Sequence, residues 1–438
     1  RPMDRQDKIC HAPFKSLLFI PSGKAMACHY NRGLSLGQYP EQSIKEIWFG
    51  QKIDKLRSYI DNHDLSYGCQ NCRYNLNNRQ FHLAGAWKHD YLGNSPNGYP
   101  VLLDLQIDNT CNLECVMCSG EYSSLIRKNR EKKPGYINPY DEAFVEQLTA
   151  FIPNLQGANF TGGEPFLIKT YFNIWDRILE LNPQMQIYIH TNGTVLNERI
   201  KRYLDKLNFN FTISIDSIEK RSYESIRVHS KLEKVMDNIR CFHNYSLQKN
   251  AAFHIKCCVM QENISQIPEY LNYFNDQNIS VLLKPVWFPS KYSLKSMSPL
   301  DLKAIIKKLE TQTFKAETHF QKLNNNRYRE LLNQLLIWSN TPMPENGFKS
   351  GSFGELGIAF YRRIDQQIEN DHTLSETEKI EKSARCKTMG DQMMGSVSDP
   401  GKMESALVKF MDLPVELIIA EMERGNAEML NARFMQEA

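Results

Sequence analysis

Cysteines are the residues in this sequence whose number and spacing point most clearly to chemistry. The chain of 438 residues has eleven of them, which is many for a cytosolic protein. In a reducing compartment such cysteines serve as metal ligands more often than as disulfides. Cys241, Cys257, Cys258 and Cys386 show no ligand-like spacing. The other seven form two groups, which predicts two metal sites: Cys10, Cys28, Cys69 and Cys72, here called the N-terminal cysteine group, and Cys111, Cys115 and Cys118, here called the cysteine triplet.

The cysteine triplet has the spacing C-x3-C-x2-C and directly follows residues 101–107, an apolar run typical of a buried strand. Three thiolates on one loop can bind three irons of a [4Fe–4S] cluster and leave the fourth iron open for a ligand. A structural zinc site would instead be closed by four ligands. The spacing therefore favours an iron–sulfur cluster with one free coordination position.

Polar motifs stand at the ends of the next predicted strands. Gly162-Gly163-Glu164-Pro165 follows the second strand, where glycines would let the backbone approach a ligand and the carboxylate could accept hydrogen bonds from an ammonium group. Thr191-Asn192-Gly193 follows the third strand, and Ser214-Ile215-Asp216 closes the fourth. Arg227 comes next and suits a planar carboxylate, although a solvated position on a helix is the alternative.

Together these motifs resemble the radical S-adenosylmethionine (SAM) superfamily over residues 101–290. The family signature has an aromatic residue before the last cysteine, where this chain has Met117. The resemblance implies that a [4Fe–4S] cluster donates one electron to SAM, which yields methionine and a 5′-deoxyadenosyl radical that abstracts a substrate hydrogen atom. It also implies that SAM is bound by Met117, Gly162, Gly163, Glu164, Pro165, Thr191, Asn192, Ser214, Asp216 and Arg227.

The N-terminal cysteine group combines a C-x12-G-x4-C segment with a C-x2-C segment. Four cysteines are also what a structural zinc site needs, so their number alone leaves zinc open. The spacing and residues 43–57 resemble the SPASM and twitch domains, which hold auxiliary [4Fe–4S] clusters. Four cysteines suffice for the one-cluster twitch type, although this module precedes the barrel and in the best-known relatives it follows. The resemblance implies a second [4Fe–4S] cluster, fully ligated, with an electron-transfer or structural role.

Strand and helix patterns alternate from residue 101 onwards, which predicts right-handed βαβ units and a parallel sheet. Six strands fit an α/β fold, either a partial (β/α)6 TIM-like barrel, which we favour, or a doubly wound sheet. Ligands bind at the carboxyl ends of the strands in both. The predicted strands are 101–107, 158–160, 186–190, 211–215, 253–260 and 281–285, and the helices between them are 141–151, 171–181, 197–207, 232–245 and 267–276.

Four regions follow from these patterns: a small cysteine-rich α+β auxiliary-cluster domain over 1–80 with a helix over 43–60, a linker over 81–100, the radical SAM core over 101–290, and a helical C-terminal extension over 291–438. Ser298 and Pro299 mark a helix start in the extension. Further helices are predicted over 302–309, 328–338 and 416–436, with a loop or poorly ordered connection near 340–357.

Side chains expected at the barrel mouth form a candidate substrate pocket. Alternation along the fifth strand puts His254, Lys256 and Cys258 on one face and Cys257 on the other. The lysines and histidine could bind a carboxylate or phosphate, or the lysines could be solvated strand ends. A thiol at 257 or 258 could donate a hydrogen atom, although a buried structural cysteine is commoner. The candidates are Asp104, Gln106, His190, His254, Lys256 and Lys284.

A net charge of +3 with 41% hydrophobic residues predicts a soluble cytoplasmic protein with no nucleic-acid partner and no membrane span. Relatives with SPASM or twitch domains often modify peptides or proteins, and others oxidise sugars or small metabolites. We expect oxidation, cross-linking or epimerisation of a peptide or protein, with an electron donor such as flavodoxin or ferredoxin. The alternatives are a dehydrogenase or epimerase of a small metabolite or sugar, and a non-catalytic, cluster-stabilised binding protein.

Overall fold

The computed structural model of the chain describes most of its residues. Of the helices within them, none has both the length and the apolar composition that crossing a membrane requires. The described residues are 8–31, 34–77, 81, 84–340, 353–371, 374–395, 397, 400–411, 415, 418, 419 and 422.

The N-terminal region begins with one short helix and three strands: α1 (Ala12–Lys15), β1 (Ser16–Phe19), β2 (Lys24–Met26) and β3 (Gly37–Gln38). β1 and β2 are antiparallel, and the turn between them contains Gly23 with a φ of +86°, a conformation that favours glycine. β1 also pairs in parallel with the first barrel strand, with Ser16 opposite Leu102. The N-terminal region therefore extends the barrel sheet and does not form a sheet of its own.

Three helices follow these strands: α2 (Ile44–Trp48), α3 (Gln51–Asp61) and α4 (Gln70–Asn77). The prediction of one helix over 43–60 is wrong, because the helix is interrupted at residues 49–50, between α2 and α3. Ser43 and Glu46 form a capping box that starts α2. Gly50 caps α3 at its N-terminus, and a Cβ atom there would lie 2.5 Å from the Glu46 carbonyl oxygen. The glycine thus permits the close turn that separates the two helices.

Six parallel strands form the barrel sheet, and each pairs with the next along the chain. A doubly wound sheet would reverse its strand order at a switch point. The order observed here has no such reversal, which confirms the α/β prediction and favours the partial (β/α)6 barrel. The strands are β4 (Leu102–Leu105), β5 (Gly157–Phe160), β6 (Gln186–Thr191), β7 (Asn208–Ser214), β8 (Phe253–Val259) and β9 (Ser280–Pro285).

Helices cover the outer face of this sheet with apolar stripes. In α7, Trp175 packs against Phe160 of β5 at 5.6 Å and Phe209 of β7 at 5.5 Å between ring centroids. The helices are α5 (Ser124–Asn129), α6 (Glu142–Leu148), α7 (Lys169–Leu181), α8 (Glu198–Lys206), α9 (Lys220–Ile226), α10 (Leu232–Lys249) and α11 (Ile267–Asp276). Short 3-10 turns cover Ile152–Asn154, Pro165–Leu167, Ile264–Gln266, Ser290–Tyr292 and Leu294–Ser296.

Two helices, α12 (Pro299–Leu309) and α13 (His319–Asn340), follow the last strand. Ser298 caps α12 by accepting the Asp301 amide, and Pro299 is the first helical residue, as the sequence predicts. Asn324 of α13 accepts the Val281 amide of β9 at 2.8 Å. α13 therefore covers the outer edge of the sheet.

The C-terminal extension continues with α14 (Phe353–Glu369), α15 (Glu376–Gly395) and α16 (Pro400–Met411), which share an apolar core separate from that of the barrel. The predicted loop near 340–357 is wrong at 353–357, where α14 has begun, and its residues 341–352 lie outside the described residues. The predicted helix over 416–436 lies outside them too, apart from residues 418, 419 and 422.

Candidate functional site

The cysteine triplet lies on a loop that leaves the carboxyl end of β4. The Cys118 amide donates to the Cys115 carbonyl at 3.0 Å, and the Arg130 guanidinium donates to the same oxygen at 2.9 Å. Burial raises the pKa of all three thiols, to about 11 for Cys111. Because iron binds the thiolate, metal binding here must release protons.

Gly162 and Gly163 bring the end of β5 against this loop. The Gly163 amide donates to the Asp108 carbonyl at 2.9 Å, and the Glu164 amide donates to the Thr110 carbonyl at 2.8 Å. A Cβ atom at Gly163 would lie 2.1 Å from the Thr110 oxygen. Gly162 has a φ of +107°, and a Cβ there would lie 2.5 Å from the Asp108 oxygen. Both glycines are therefore needed to hold the backbone that carries the triplet.

Glu164 is fully buried and points away from the cavity described below. Its carboxylate accepts from Thr191 Oγ1 at 2.7 Å, from the Asn192 amide at 2.8 Å and from the Phe166 amide at 3.3 Å. Burial raises its pKa to about 7. These bonds join the ends of β5 and β6. In this geometry Glu164 positions Thr191 and Asn192, and direct contact with SAM stays a prediction.

Arg227 and Asp216 form a buried ion pair beside the triplet. Arg227 Nε lies 2.8 Å from Asp216 Oδ2, and their side chains are 7% and 0% exposed. Arg227 Nη1 lies 3.8 Å from Cys115 Sγ. The other oxygen of Asp216 accepts the Cys258 amide at 2.7 Å. Asp216 therefore orients the arginine and the end of β8, and the guanidinium places positive charge next to a cysteine of the triplet.

A cavity of about 510 Å³ opens at the carboxyl ends of the strands, which is within the usual range of roughly 300–1,000 Å³ for ligand sites. We call it the SAM cavity. Glu164, Pro165 and Asp216 lie outside its wall. Sequence reasoning missed Leu113, Ser119, Tyr122, Thr161, Trp287 and Phe288, which also line it. The predicted residues in the wall are Gln106, Cys111, Cys115, Met117, Cys118, Gly162, Gly163, His190, Thr191, Asn192, Ser214, Arg227 and Lys256.

The two consecutive cysteines of β8 differ as alternation predicts. Cys258 lines the SAM cavity, whereas Cys257 is fully buried, with its sulfur 3.7 Å from Asn263 Nδ2. Cys257 is therefore structural, and Cys258 is the thiol that a cavity ligand can reach.

A second cavity, of about 430 Å³, lies between the barrel strands and the N-terminal region. Asp104 stands in its wall with His29 Nε2 at 3.4 Å. Burial works to raise the pKa of Asp104, but His29 and Asn159 outweigh it, and the pKa is lowered. His29, which the sequence did not single out, is thus one of the residues that lower the pKa of this buried carboxyl group. We call this space the upper cavity.

His190 lines both cavities. Burial, with a smaller contribution from Lys256, lowers its pKa to about 3, so the imidazole is neutral. Among the described residues its Nε2 atom is buried and has no hydrogen-bond partner. Two other candidates, His254 and Lys284, line neither cavity, and His254 Nδ1 is bound to Ser280 Oγ at 2.9 Å.

The N-terminal cysteine group is gathered in one place, although its members span residues 10–72. All four thiols are buried, line one enclosed space and have raised pKa values because of that burial. Three sulfurs accept N–H groups: Cys10 from Ala12 at 3.4 Å, Cys69 from Asn31 at 3.2 Å and Cys72 from Gly85 at 3.3 Å. Such donors compensate thiolate charge and tune iron–sulfur clusters, so the donor set fits a cluster.

Among the described residues, no group of three or more His, Cys, Asp or Glu side chains is arranged to hold a single metal ion. Thiolates that bind a [4Fe–4S] cluster each hold a different iron. A cluster therefore does not require the four sulfurs to converge on one point, as tetrahedral zinc does.

Two family models match the chain. The radical SAM superfamily model matches residues 105–274, and an iron–sulfur cluster-binding domain model, SPASM, matches residues 10–73. An uncharacterised protein of Methanocaldococcus jannaschii is 29% identical over 194 residues, which cover 42% of this chain and 63% of that protein. A cysteine-type anaerobic sulfatase-maturating enzyme of Clostridium novyi is 27% identical over 262 residues, covering 56% of this chain and 68% of the enzyme.

Solved structures similar to the chain include Streptococcus suis SuiB bound to the precursor peptide SuiA. It has 16% sequence identity and a TM-score of 0.35, with 75% of this chain and 73% of that one covered. The anSMEcpe structure with bound AdoMet has 20% identity and a TM-score of 0.35, with 48% of this chain and 58% of that one covered. These likenesses are too distant to carry an argument about the site.

The two family matches cover both cysteine groups and the polar motifs at the ends of β5, β6 and β7. They agree with the resemblance that the sequence indicates, and with SAM and two [4Fe–4S] clusters as cofactors. The chain spans less than two thirds of the M. jannaschii protein, 63%. Residues 105–274 are therefore a domain of the radical SAM superfamily, and residues 10–73 are an iron–sulfur cluster-binding domain of the SPASM family.

Proposed function

We propose that the chain is a radical SAM enzyme whose cysteine triplet holds the SAM-cleaving [4Fe–4S] cluster. The observation that carries the proposal is the SAM cavity, which brings the three thiols together with Gly163, Asn192 and Ser214 from three further strand ends. Arg227, which follows helix α9, lines the same cavity. When bound, the cluster and SAM supply a 5′-deoxyadenosyl radical, with one electron from a donor such as flavodoxin or ferredoxin.

The residues of the chain would bind and orient the cofactors. The backbone at Gly162 and Gly163 holds the cysteine loop, and Glu164 holds Thr191 and Asn192 in the cavity wall. Arg227 supplies a fixed positive charge that suits the carboxylate of SAM and the charge of the bound thiolates. Trp287 and Phe288 add apolar surface to the cavity wall, which would limit the access of water.

We propose a peptide or protein as the substrate, modified by oxidation, cross-linking or epimerisation. The support is the similarity to a sulfatase-maturating enzyme, whose name states a protein substrate, over 68% of the length of that enzyme. The N-terminal cysteine group would hold the second [4Fe–4S] cluster. Four ligands leave it no open iron, which suits electron transfer or a structural role.

The test is anaerobic reconstitution, followed by iron and sulfide counting and an assay for 5′-deoxyadenosine with a chemical reductant. We expect the wild-type chain to form 5′-deoxyadenosine and the Cys115→Ala variant to form none. Cys241→Ala is the matched control, because Cys241 is exposed on α10 and belongs to neither cysteine group. Equal product from Cys115→Ala and wild type would refute the proposal.

A further inference from the structure

The upper cavity has a polar wall on the inner face of the barrel. Asp104, Asn159 and Tyr188 are in this wall, and they lie side by side in the register of β4, β5 and β6. The upper cavity shares Thr161 and His190 with the SAM cavity, so the two cavities are adjacent. A ligand of the upper cavity would therefore lie beside SAM bound in the SAM cavity.

Asp104 brings a buried carboxylate to this wall. Its side chain is 5% exposed, and its Oδ1 atom accepts from Asn159 Nδ2 and lies 3.4 Å from His29 Nε2. Within the described part of the chain, no hydrogen bond reaches its other oxygen, Oδ2. A buried charge is costly unless it is paired and hydrogen-bonded. The free oxygen of Asp104 is therefore suited to an N–H group of a ligand.

His89 adds a second acceptor to the same wall. Ser16 has one hydroxyl proton, which it donates to the Ala27 carbonyl at 2.6 Å, so its oxygen accepts from His89 Nε2 at 3.2 Å. Burial lowers the pKa of His89, so the neutral ring carries its proton on Nε2 and offers Nδ1 as an acceptor. Among the described residues, Nδ1 is buried and has no hydrogen-bond partner. Ser16 lies opposite Leu102, which shares a face of β4 with Asp104, so both acceptors lie on one side of the sheet.

The remainder of the wall suits a cation. Tyr30, Tyr91 and Tyr188 line the upper cavity, and aromatic faces attract ammonium and guanidinium groups. Lys88 is also in the wall, but it is exposed, and its ammonium lies 4.5 Å from the ring centre of Tyr30 and donates to its hydroxyl. Water and salt screen an exposed charge more than a buried one, so the buried carboxylate of Asp104 is the stronger influence on a ligand inside the cavity.

We propose that the upper cavity binds a cationic nitrogen group of the substrate, with Asp104 as its counter-ion and His89 as a second hydrogen-bond acceptor. The proposal rests on the proposed function, because it makes the peptide or protein substrate one that presents a lysine or arginine side chain to the barrel. Ammonium and guanidinium groups each have enough N–H donors for both acceptors. Hydrogen bonds in which donor and acceptor are charged are shorter and stronger than neutral ones, so the bond to Asp104 would fix the position of the substrate.

The experiment uses the full chain, reconstituted anaerobically with both clusters and with SAM bound. Three probes are titrated separately by isothermal titration calorimetry at neutral pH and constant ionic strength: n-butylamine, which resembles a lysine side chain, N-propylguanidine, which resembles an arginine side chain, and uncharged 1-butanol. We expect saturable binding of one of the cations, about tenfold tighter than that of 1-butanol. Asp104→Asn should weaken it about tenfold, because the variant removes a charged acceptor. Asp237→Asn is the control, since Asp237 is exposed on the outer helix α10 and should leave the affinity unchanged.

The probes distinguish the two sources of the cation, since preference for n-butylamine indicates a lysine side chain and preference for N-propylguanidine an arginine. Equal affinity of the wild-type chain for 1-butanol would refute the cation site without the use of any variant, as would normal affinity of folded Asp104→Asn for the preferred cation. If the cation displaces SAM, the carboxylate serves the amino group of SAM and the proposal is equally refuted. If no cation binds to a sample that cleaves SAM, the cation site is refuted and the proposed function stands. A sample that binds the cation but does not cleave SAM would count against the proposed function alone.

Discussion

Glu164 offers a sharp test of whether a buried carboxyl group of the Gly162–Pro165 motif holds a proton in the folded chain. Its carboxylate is fully buried and accepts hydrogen bonds from Thr191 Oγ1 and the Asn192 amide. Glu164→Gln keeps the shape of the side chain and retains one oxygen for these donors, but it cannot ionise. The substitution therefore removes the titration of this group while disturbing the packing little.

The size of the effect follows from the pKa. Burial raises the pKa of Glu164 from 4.5 to about 7, so the folded chain holds a proton that the unfolded chain has already released. Stability from a raised pKa is fully present below the unfolded value and is lost as the pH rises through the folded value. Between pH 5.5 and pH 8 the free energy of unfolding should fall by about 2 kcal/mol from this group.

The assay is denaturant unfolding of wild type and Glu164→Gln at several pH values in this range, followed by tryptophan fluorescence. We expect the contribution of about 2 kcal/mol by which Glu164 lowers the free energy of unfolding as the pH rises to be absent from the variant. If the free energy of unfolding changed with pH equally in the two proteins, the raised pKa of the buried Glu164 carboxyl group would be refuted. A variant with normal stability that no longer bound SAM would show that Glu164 supports the SAM site, either by contact or through Thr191 and Asn192.

Three further predictions concern the two cysteine groups and the glycine that packs against the loop of the cysteine triplet. Wild type should hold about eight irons per chain, and replacing the whole cysteine triplet by alanine should leave about four; zinc with no iron at the N-terminal site would contradict this. The double variant Cys69→Ala, Cys72→Ala, once shown to be folded, should still form 5′-deoxyadenosine but lose most substrate turnover, and normal turnover would refute a catalytic part for the auxiliary cluster. Gly163→Ala should lose the triplet cluster by visible absorption and iron count, because its Cβ would meet the Thr110 oxygen at 2.1 Å, whereas Gly135→Ala, with nothing within 4 Å, should keep it.

The sequence predicted the barrel well because its signals are local. Period-2 and period-3.6 patterns, with turns between them, placed all six barrel strands close to their observed bounds, and the motifs fell at strand ends as parallel sheets require. The spacing of the cysteines in the sequence was also enough to assign them to two groups. The short helices α5 and α9 were missed, since six or seven residues give too little periodic pattern to be recognised.

Side-chain direction and long-range pairing could not be predicted in this way. The motif places Glu164 at the end of a strand. Whether its carboxylate faces the cavity or Thr191 depends on how the neighbouring strand packs against it. The ion pair of Arg227 with Asp216 also depends on tertiary packing, which the sequence motifs do not specify. The segment 81–100 carries no regular pattern, yet it delivers Gly85 to Cys72 and Lys88 to the upper cavity.

The pairing of β1 with β4 connects the segments that carry the two cysteine groups. Cys28 follows the β1–β2 hairpin closely, and the triplet follows β4, so both groups are carried by one hydrogen-bonded sheet. The end of the N-terminal region near residue 80 is therefore a boundary in sequence pattern and not in backbone hydrogen bonding. A flexible linker between two cluster domains would allow their separation to vary, whereas parallel strands in register hold it fixed. A fixed separation would suit electron transfer between the two proposed clusters.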